Sequence, residues 1–102
     1  MGRLDDALIC YKKSAKALEG ETGSTRMDNQ AYAREWIGEV LLELEQFELA
    51  YCFFITSDDL LSKFTPTRSK LVRKKMDSIL RDNSDINVTR VRAKRVVSNW
   101  LK

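Results

Sequence analysis

The 102-residue chain contains no histidine. Histidine is the commonest general base and the commonest metal ligand in proteins, so its absence removes Ser-His-Asp and Cys-His catalytic sets and most transition-metal sites. The carboxylates offer no substitute, because Asp58-Asp59 beside Ser57 is typical of a solvated cluster at a helix end. We therefore predict a chain that is not an enzyme and that uses no metal and no cofactor.

Glycine, proline and long apolar runs are also scarce. The chain has one proline and four glycines, the last of them Gly38. An all-β fold needs a turn every 8–12 residues or so, usually with glycine or proline, and is thereby excluded. There is no apolar run of roughly 18 residues to cross a membrane and no signal-peptide core at the start. These absences predict one all-α domain over residues 1–102 that is intracellular, either cytoplasmic or nuclear.

Cysteine is limited to Cys10 and Cys52, which lie far apart and form no CxxC motif. Both fall in apolar, helix-like stretches, where a free cysteine behaves as a small hydrophobic residue. We predict that both are reduced and buried.

Charge, in contrast, is abundant and unevenly distributed. Residues 1–62 carry a net charge of −6 and residues 63–102 a net charge of +9, which together give the overall +3. Such asymmetry favours charged partners or self-association over catalysis. We expect a molecule with an acidic and a basic end, for which head-to-tail contact between copies is conceivable.

Apolar residues recur at spacings of three and four, the pattern of helices that each bury one face. Their positions predict five helices, over 3–19, 30–45, 46–62, 67–82 and 87–101. Residues 20–29 are expected to form a loop, with Asp28 or Asn29 capping the second helix. Pro66 suits the first position of the fourth helix, since its missing N–H is not needed there. Asp85 is the expected cap of the fifth helix.

The first and third helices repeat one pattern at a constant offset of 43 residues. The small residue of the pattern allows close helix approach, and the aromatic residue one turn later fills the space beyond it. The matched pairs are Leu4 and Phe47, Ala7 and Ala50, Tyr11 and Phe54, and Ser14 and Ser57.

On these residues the chain resembles a tetratricopeptide repeat (TPR) over residues 2–61. The positions that carry the resemblance share one register: Ile37, Gly38, Leu41, Leu44, Phe47, Ala50 and Phe54. The departures are the offset, longer than the usual ~34 residues, Arg34, where the family favours tryptophan, and Ser14 and Ser57, which replace a usual alanine. The resemblance implies antiparallel helix pairs, with the basic residues 66–102 as a divergent helical cap. It also implies a fragment of a longer protein, because the first helix lacks its partner.

The TPR resemblance implies a non-catalytic scaffold whose second helix lines a groove for a peptide or protein partner. Aromatic anchors beside carboxylates form a plausible peptide surface for a basic partner. The expected partner-binding residues are Tyr32, Glu35, Trp36, Glu39, Leu42 and Glu43. The alternative is that Trp36 belongs to the core and that the glutamates are merely solvated.

Two other functions stay open. Val72-Arg73-Lys74-Lys75 and the stretch from Ala93 to Trp100 resemble the N-terminal domain of transcription elongation factor S-II, which implies a nuclear docking bundle. The basic half also allows nucleic-acid binding by phosphate neutralisation, although aromatic residues for stacking are lacking there apart from Trp100. The residues that would make this basic contact are Arg68, Lys70, Arg73, Lys74 and Lys75.

Overall fold

The computed structural model describes residues 2–18 and 24–102, and in that part of the chain the secondary structure is helical, without strands. The five helices are α1 (Gly2–Leu18), α2 (Ser24–Glu43), α3 (Phe47–Phe64), α4 (Pro66–Asp82) and α5 (Arg90–Trp100). The predicted all-α class is therefore confirmed. Over the same residues, none of the helices combines the length and the apolar character that a membrane span requires.

Two helix starts differ from the prediction. Helix α2 begins at Ser24 rather than near 30, so the expected loop is wrong from 24 onward; residues 19–23 lie outside the described part. The physical reason is that neither glycine nor proline occurs between Gly23 and Gly38, so nothing interrupts the helix. Helix α5 is capped by Thr89 and not by Asp85, because the Thr89 hydroxyl accepts a hydrogen bond from the Arg92 N–H at 3.2 Å.

The turn between α2 and α3 sets these helices antiparallel. Glu45 adopts a left-handed backbone conformation, with φ at 61°. Its N–H bonds to the carbonyl of Leu42 at 3.0 Å, and the N–H of Gln46 bonds to the carbonyl of Leu41 at 2.9 Å. These two bonds satisfy carbonyls that the end of α2 would otherwise leave without a donor.

Helix α3 is the centre of the fold and packs against α2, α4 and α5, whereas α1 packs against α2. Antiparallel packing of α3 and α4 brings Asp58 to Ser69 near one end and Phe47 close to Ile79 near the other. Helix α5 packs against α3, where Arg92 lies 4.0 Å from Glu48 near the start of α3 and Arg90 lies 3.6 Å from Asp58 nearer its end. The proline prediction is confirmed, since Pro66 is the first residue of α4.

The core is densest between α2 and α3, where Phe53, Phe54 and Ile37 are fully buried. Gly38 makes this closeness possible: a Cβ atom there would lie 2.9 Å from Cε1 of Phe54. The fully buried Ser57 adds a polar link between the helices, donating a hydrogen bond to the carbonyl of Ala31 at 2.8 Å. Gly38 of α2 and Phe54 of α3 thus meet each other across the helix pair.

The two cysteines have different environments. Cys52 is buried, as predicted, but Cys10 is exposed, because α1 packs by one narrow face and Cys10 lies outside it. Both are free thiols. Burial raises the pKa of the Cys52 thiol, and the charge of nearby Glu48 raises it further. Cys52 is therefore a structural residue and not an activated nucleophile.

Candidate partner-binding surface

Two buried carboxylates in the described part of the chain are bound by basic residues of other helices, and the first of them is Asp58. This side chain on α3 is only 1% exposed, so the prediction that Asp58 and Asp59 form a solvated cluster is wrong. It accepts a hydrogen bond from the Ser69 hydroxyl, and the Nε–H of Arg73 lies 3.2 Å from both of its oxygens. Nη2 of Arg90 lies 3.6 Å away. Cations from two basic helices thus compensate one buried carboxylate of the acidic half.

A second internal contact holds Glu35 of α2, which is also 1% exposed. Arg68 of α4 binds it with two parallel bonds, Nε to Oε1 at 3.0 Å and Nη2 to Oε2. Nζ of Lys75 lies 3.5 Å from the same carboxylate. The hydrogen bond to Glu35 raises the pKa of Arg68, as expected for a guanidinium bound to a carboxylate.

These pairs correct the expectation that the five basic residues of α4 form an open contact surface. Arg68, Arg73 and Lys75 engage carboxylates of α2 and α3. Lys70 and Lys74 are exposed and make no ion pair with any residue in the described part of the chain. Much of the opposite charge of the two halves is therefore neutralised inside the fold.

The outer face of α2 is the most distinctive open surface. Four of the predicted partner-binding residues follow the spacing i, i+4, i+7, i+11, which keeps them on one face of a helix. Trp36 is 46% exposed, whereas its neighbour Ile37 is fully buried. We call this face the α2 surface, and its residues are Tyr32, Trp36, Glu39 and Glu43.

The other two predicted residues are placed differently. Glu35 is buried and bonded to Arg68, so the prediction that it lines the groove is wrong. The row Glu35, Glu39, Glu43 steps by four residues, and each step turns about 40° around the helix. The row therefore winds from the core to solvent. Leu42 is half-buried and lines a cavity beside Phe47, at the edge of the α2 surface.

Two residues from other helices complete the α2 surface. The ring of Tyr11 from α1 lies 5.7 Å from that of Trp36, centroid to centroid, and the ring of Tyr32 lies stacked with that of Trp36 at 6.5 Å. Cζ of Arg68 lies 5.7 Å from the Tyr32 ring centroid. Sequence reasoning missed Tyr11 and Arg68 here. The apolar face of α1 already contained Tyr11, but only the fold shows that it meets Trp36.

Other exposed apolar residues lie on separate helices, and of these Ile9 lines a cavity with Leu8 and Trp100. Ile9, Leu71 and Val91 are 53%, 45% and 69% exposed and lie on α1, α4 and α5 respectively. Single exposed apolar side chains are ordinary on protein surfaces. Trp36 differs from them because aromatic rings from two helices adjoin it and carboxylates follow it along the same face.

Comparisons with known proteins find no counterpart: no family model, no curated protein and no solved structure matches this chain. Within residues 2–18 and 24–102, no group of three or more cysteine, aspartate or glutamate side chains is placed to hold a metal ion. The feature that points to a function is the α2 surface, where exposed aromatic rings and carboxylates lie together.

Proposed function

We propose that this chain is a non-catalytic protein-interaction module that binds a peptide or protein segment on the α2 surface. The observation that carries the proposal is the exposure of Trp36 between Tyr11 and Tyr32. Tryptophan and tyrosine are the residues that most often anchor interfaces, because they bury a large area at a small cost in side-chain entropy. The exposed Glu43 at the far end of the surface adds charge that can orient a partner.

The packing of the helices supports a scaffold role of the TPR type. Helices α2, α3 and α4 follow one another as antiparallel neighbours, and Gly38 meets Phe54 as the small and aromatic positions of the family would. Helix α5 packs against α3 instead of continuing the series of neighbouring pairs, which favours the docking bundle of an elongation-type factor. Both alternatives are interaction modules inside the cell, in the cytoplasm or the nucleus, so the proposed function is the same for each.

Nucleic-acid binding receives less support. Arg68, Arg73 and Lys75 already bind carboxylates. Their positive charge is therefore largely neutralised and attracts a phosphate less strongly. Trp100 is half-buried and packs edge-on against Phe53 at a centroid distance of 5.1 Å. Nζ of Lys12 lies 4.9 Å from the Trp100 ring centroid, so this ring is already in contact with a cation and is not a free platform for bases.

The direct test is affinity capture with the wild-type protein, the Trp36→Ala variant and the Val91→Ala variant. We expect at least one protein to be retained by wild type and by Val91→Ala but lost from Trp36→Ala. Truncating an interface anchor costs about 2 kcal/mol or more, which weakens binding about 30-fold. Val91 is the matched control because it is an exposed apolar residue outside the α2 surface.

Thermal unfolding of both variants shows whether the fold persists, which we expect because both side chains are largely at the surface. If the folded Trp36→Ala variant retains the same proteins as wild type, the proposal is contradicted.

A further inference from the structure

Helix α2 carries two pairs of an aromatic side chain and a glutamate, and the pairs lie about one helical turn apart. Tyr32 is followed three residues later by Glu35, and Trp36 is followed three residues later by Glu39. Residues three apart on a helix are surface neighbours, so each pair sets an aromatic ring beside a carboxylate. The shift of four residues places the second pair directly beyond the first along α2.

The first pair already holds a guanidinium. Arg68 donates two parallel bonds to Glu35, and its Cζ lies 5.7 Å from the Tyr32 ring centroid. A planar guanidinium suits both contacts, because its fork of N–H groups matches a carboxylate and its face is attracted to an aromatic ring. The contacts of Arg68 therefore show that an aromatic ring beside a glutamate on α2 can bind an arginine side chain.

The second pair is built alike but is open to solvent. Trp36 is 46% exposed and the Glu39 side chain 45% exposed. Among the described residues no cation lies over the Trp36 ring. Glu39 is bound by Nζ of Lys75, an ammonium group that also lies 3.5 Å from Glu35. Tryptophan is the aromatic side chain that attracts cations most strongly.

We propose that Trp36 and Glu39 bind an arginine side chain of the partner, so that the segment recognised by the α2 surface contains arginine. The partner's guanidinium would lie against the Trp36 ring and bind Glu39 as Arg68 binds Glu35. The nearby Glu43 adds negative charge along the same face. This inference rests on the proposed function, because it names the chemistry of the segment that the α2 surface receives.

Lys75 limits the affinity of this site, since it neutralises Glu39 in the free protein. An incoming arginine must share or displace the Lys75 ammonium. In the free protein Nζ of Lys75 lies 5.9 Å from the centroid of the Phe54 ring. Replacement of Lys75 by methionine keeps an extended side chain beside Phe54 and removes the charge that neutralises Glu39. Glu35 retains its two bonds from Arg68 in that variant.

The test is NMR titration of the protein with a capped, alanine-based heptapeptide that contains two arginines, followed at the indole N–H of Trp36. A peptide with citrulline at the same positions has the same shape without the charge. We expect the arginine peptide to shift the Trp36 signal and the citrulline peptide to bind at least about tenfold more weakly. Glu39→Gln should weaken binding about fivefold, and Lys75→Met should strengthen it about threefold. Asp85→Asn makes the same charge change outside the α2 surface and should alter nothing.

Equal binding of the citrulline peptide, an unchanged affinity in Glu39→Gln, or no Trp36 shift at about 10 mM peptide would each overturn the inference. The results distinguish a failure of arginine recognition from a failure of the proposed function. A captured partner that depends on Trp36 but binds Glu39→Gln as tightly as wild type leaves the proposed function standing and contradicts arginine recognition. Loss of the Trp36 dependence itself contradicts the proposed function.

Discussion

Replacement of Phe54 by alanine is expected to lower the free energy of unfolding by about 3–5 kcal/mol. Phe54 is completely buried between α2 and α3, and its ring occupies the space that the missing side chain of Gly38 leaves. The truncation removes apolar contacts and leaves a cavity that two antiparallel helices cannot easily close. Urea denaturation followed by circular dichroism measures the change.

The effect of Gly38→Ala should change sign with the residue at position 54. In the wild-type protein the new Cβ would lie 2.9 Å from Cε1 of Phe54, and we expect a loss of stability of about 1 kcal/mol or more. In the Phe54→Ala background the ring is gone, and the better helix propensity of alanine, about 1 kcal/mol, should make the same change stabilising. If Gly38→Ala had the same effect in both backgrounds, the close contact between these residues would be contradicted.

Replacement of Asp58 by alanine is expected to lower the free energy of unfolding by about 2–3 kcal/mol. The change removes the acceptor of the Ser69 hydroxyl, which is itself buried, and the bonds from Arg73. Because the Arg73 and Arg90 side chains are 57% and 54% exposed, water can solvate them, so the loss stays below that of a fully buried ion pair.

The control for Asp58 is Asp77→Ala, which removes an exposed carboxylate on α4. We expect this variant to stay within about 0.5 kcal/mol of wild type in the same denaturation measurement. Equal stability of the Asp58→Ala and Asp77→Ala variants would show that Asp58 is not bonded as described.

The number and class of helices could be predicted because each helix buries one apolar face, and that face imposes a period on the sequence. Helix starts are harder, since several polar residues compete to cap a helix. Asp85 and Thr89 both suit a cap by residue type, and only the path of the chain selects Thr89. Likewise Asp28 or Asn29 suits a cap, but α2 begins earlier at Ser24.

The candidate site could be predicted in part for a similar reason. The register of Gly38 in the TPR resemblance predicts that Tyr32, Trp36 and Glu39 line the second helix together, and the structure places them on one face of α2. Glu35 was assigned to the same face, yet its burial depends on Arg68, 33 residues away in the chain, and no local pattern contains that pairing. The contribution of Tyr11 is also non-local, because it requires α1 to pack against α2.

Net charge alone could not distinguish partner binding from internal pairing. The acidic and basic halves suggested charged partners, yet Asp58 and Glu35 use several of the basic residues within the fold. The composition records how many charges each half has, whereas the geometry decides which of them remain available. From Asn29 onward, where the exposure of the α2 side chains is described, the carboxylates that remain exposed or half-exposed are Glu39 and Glu43.

The central claim, that the α2 surface is where a partner binds, is tested most directly by hydroxyl-radical footprinting of the free protein and of its complex with a captured partner. We predict that oxidation of Trp36 slows in the complex, while oxidation of Leu71, which is similarly exposed on α4, does not change. Unchanged oxidation of Trp36 in the complex would contradict the claim.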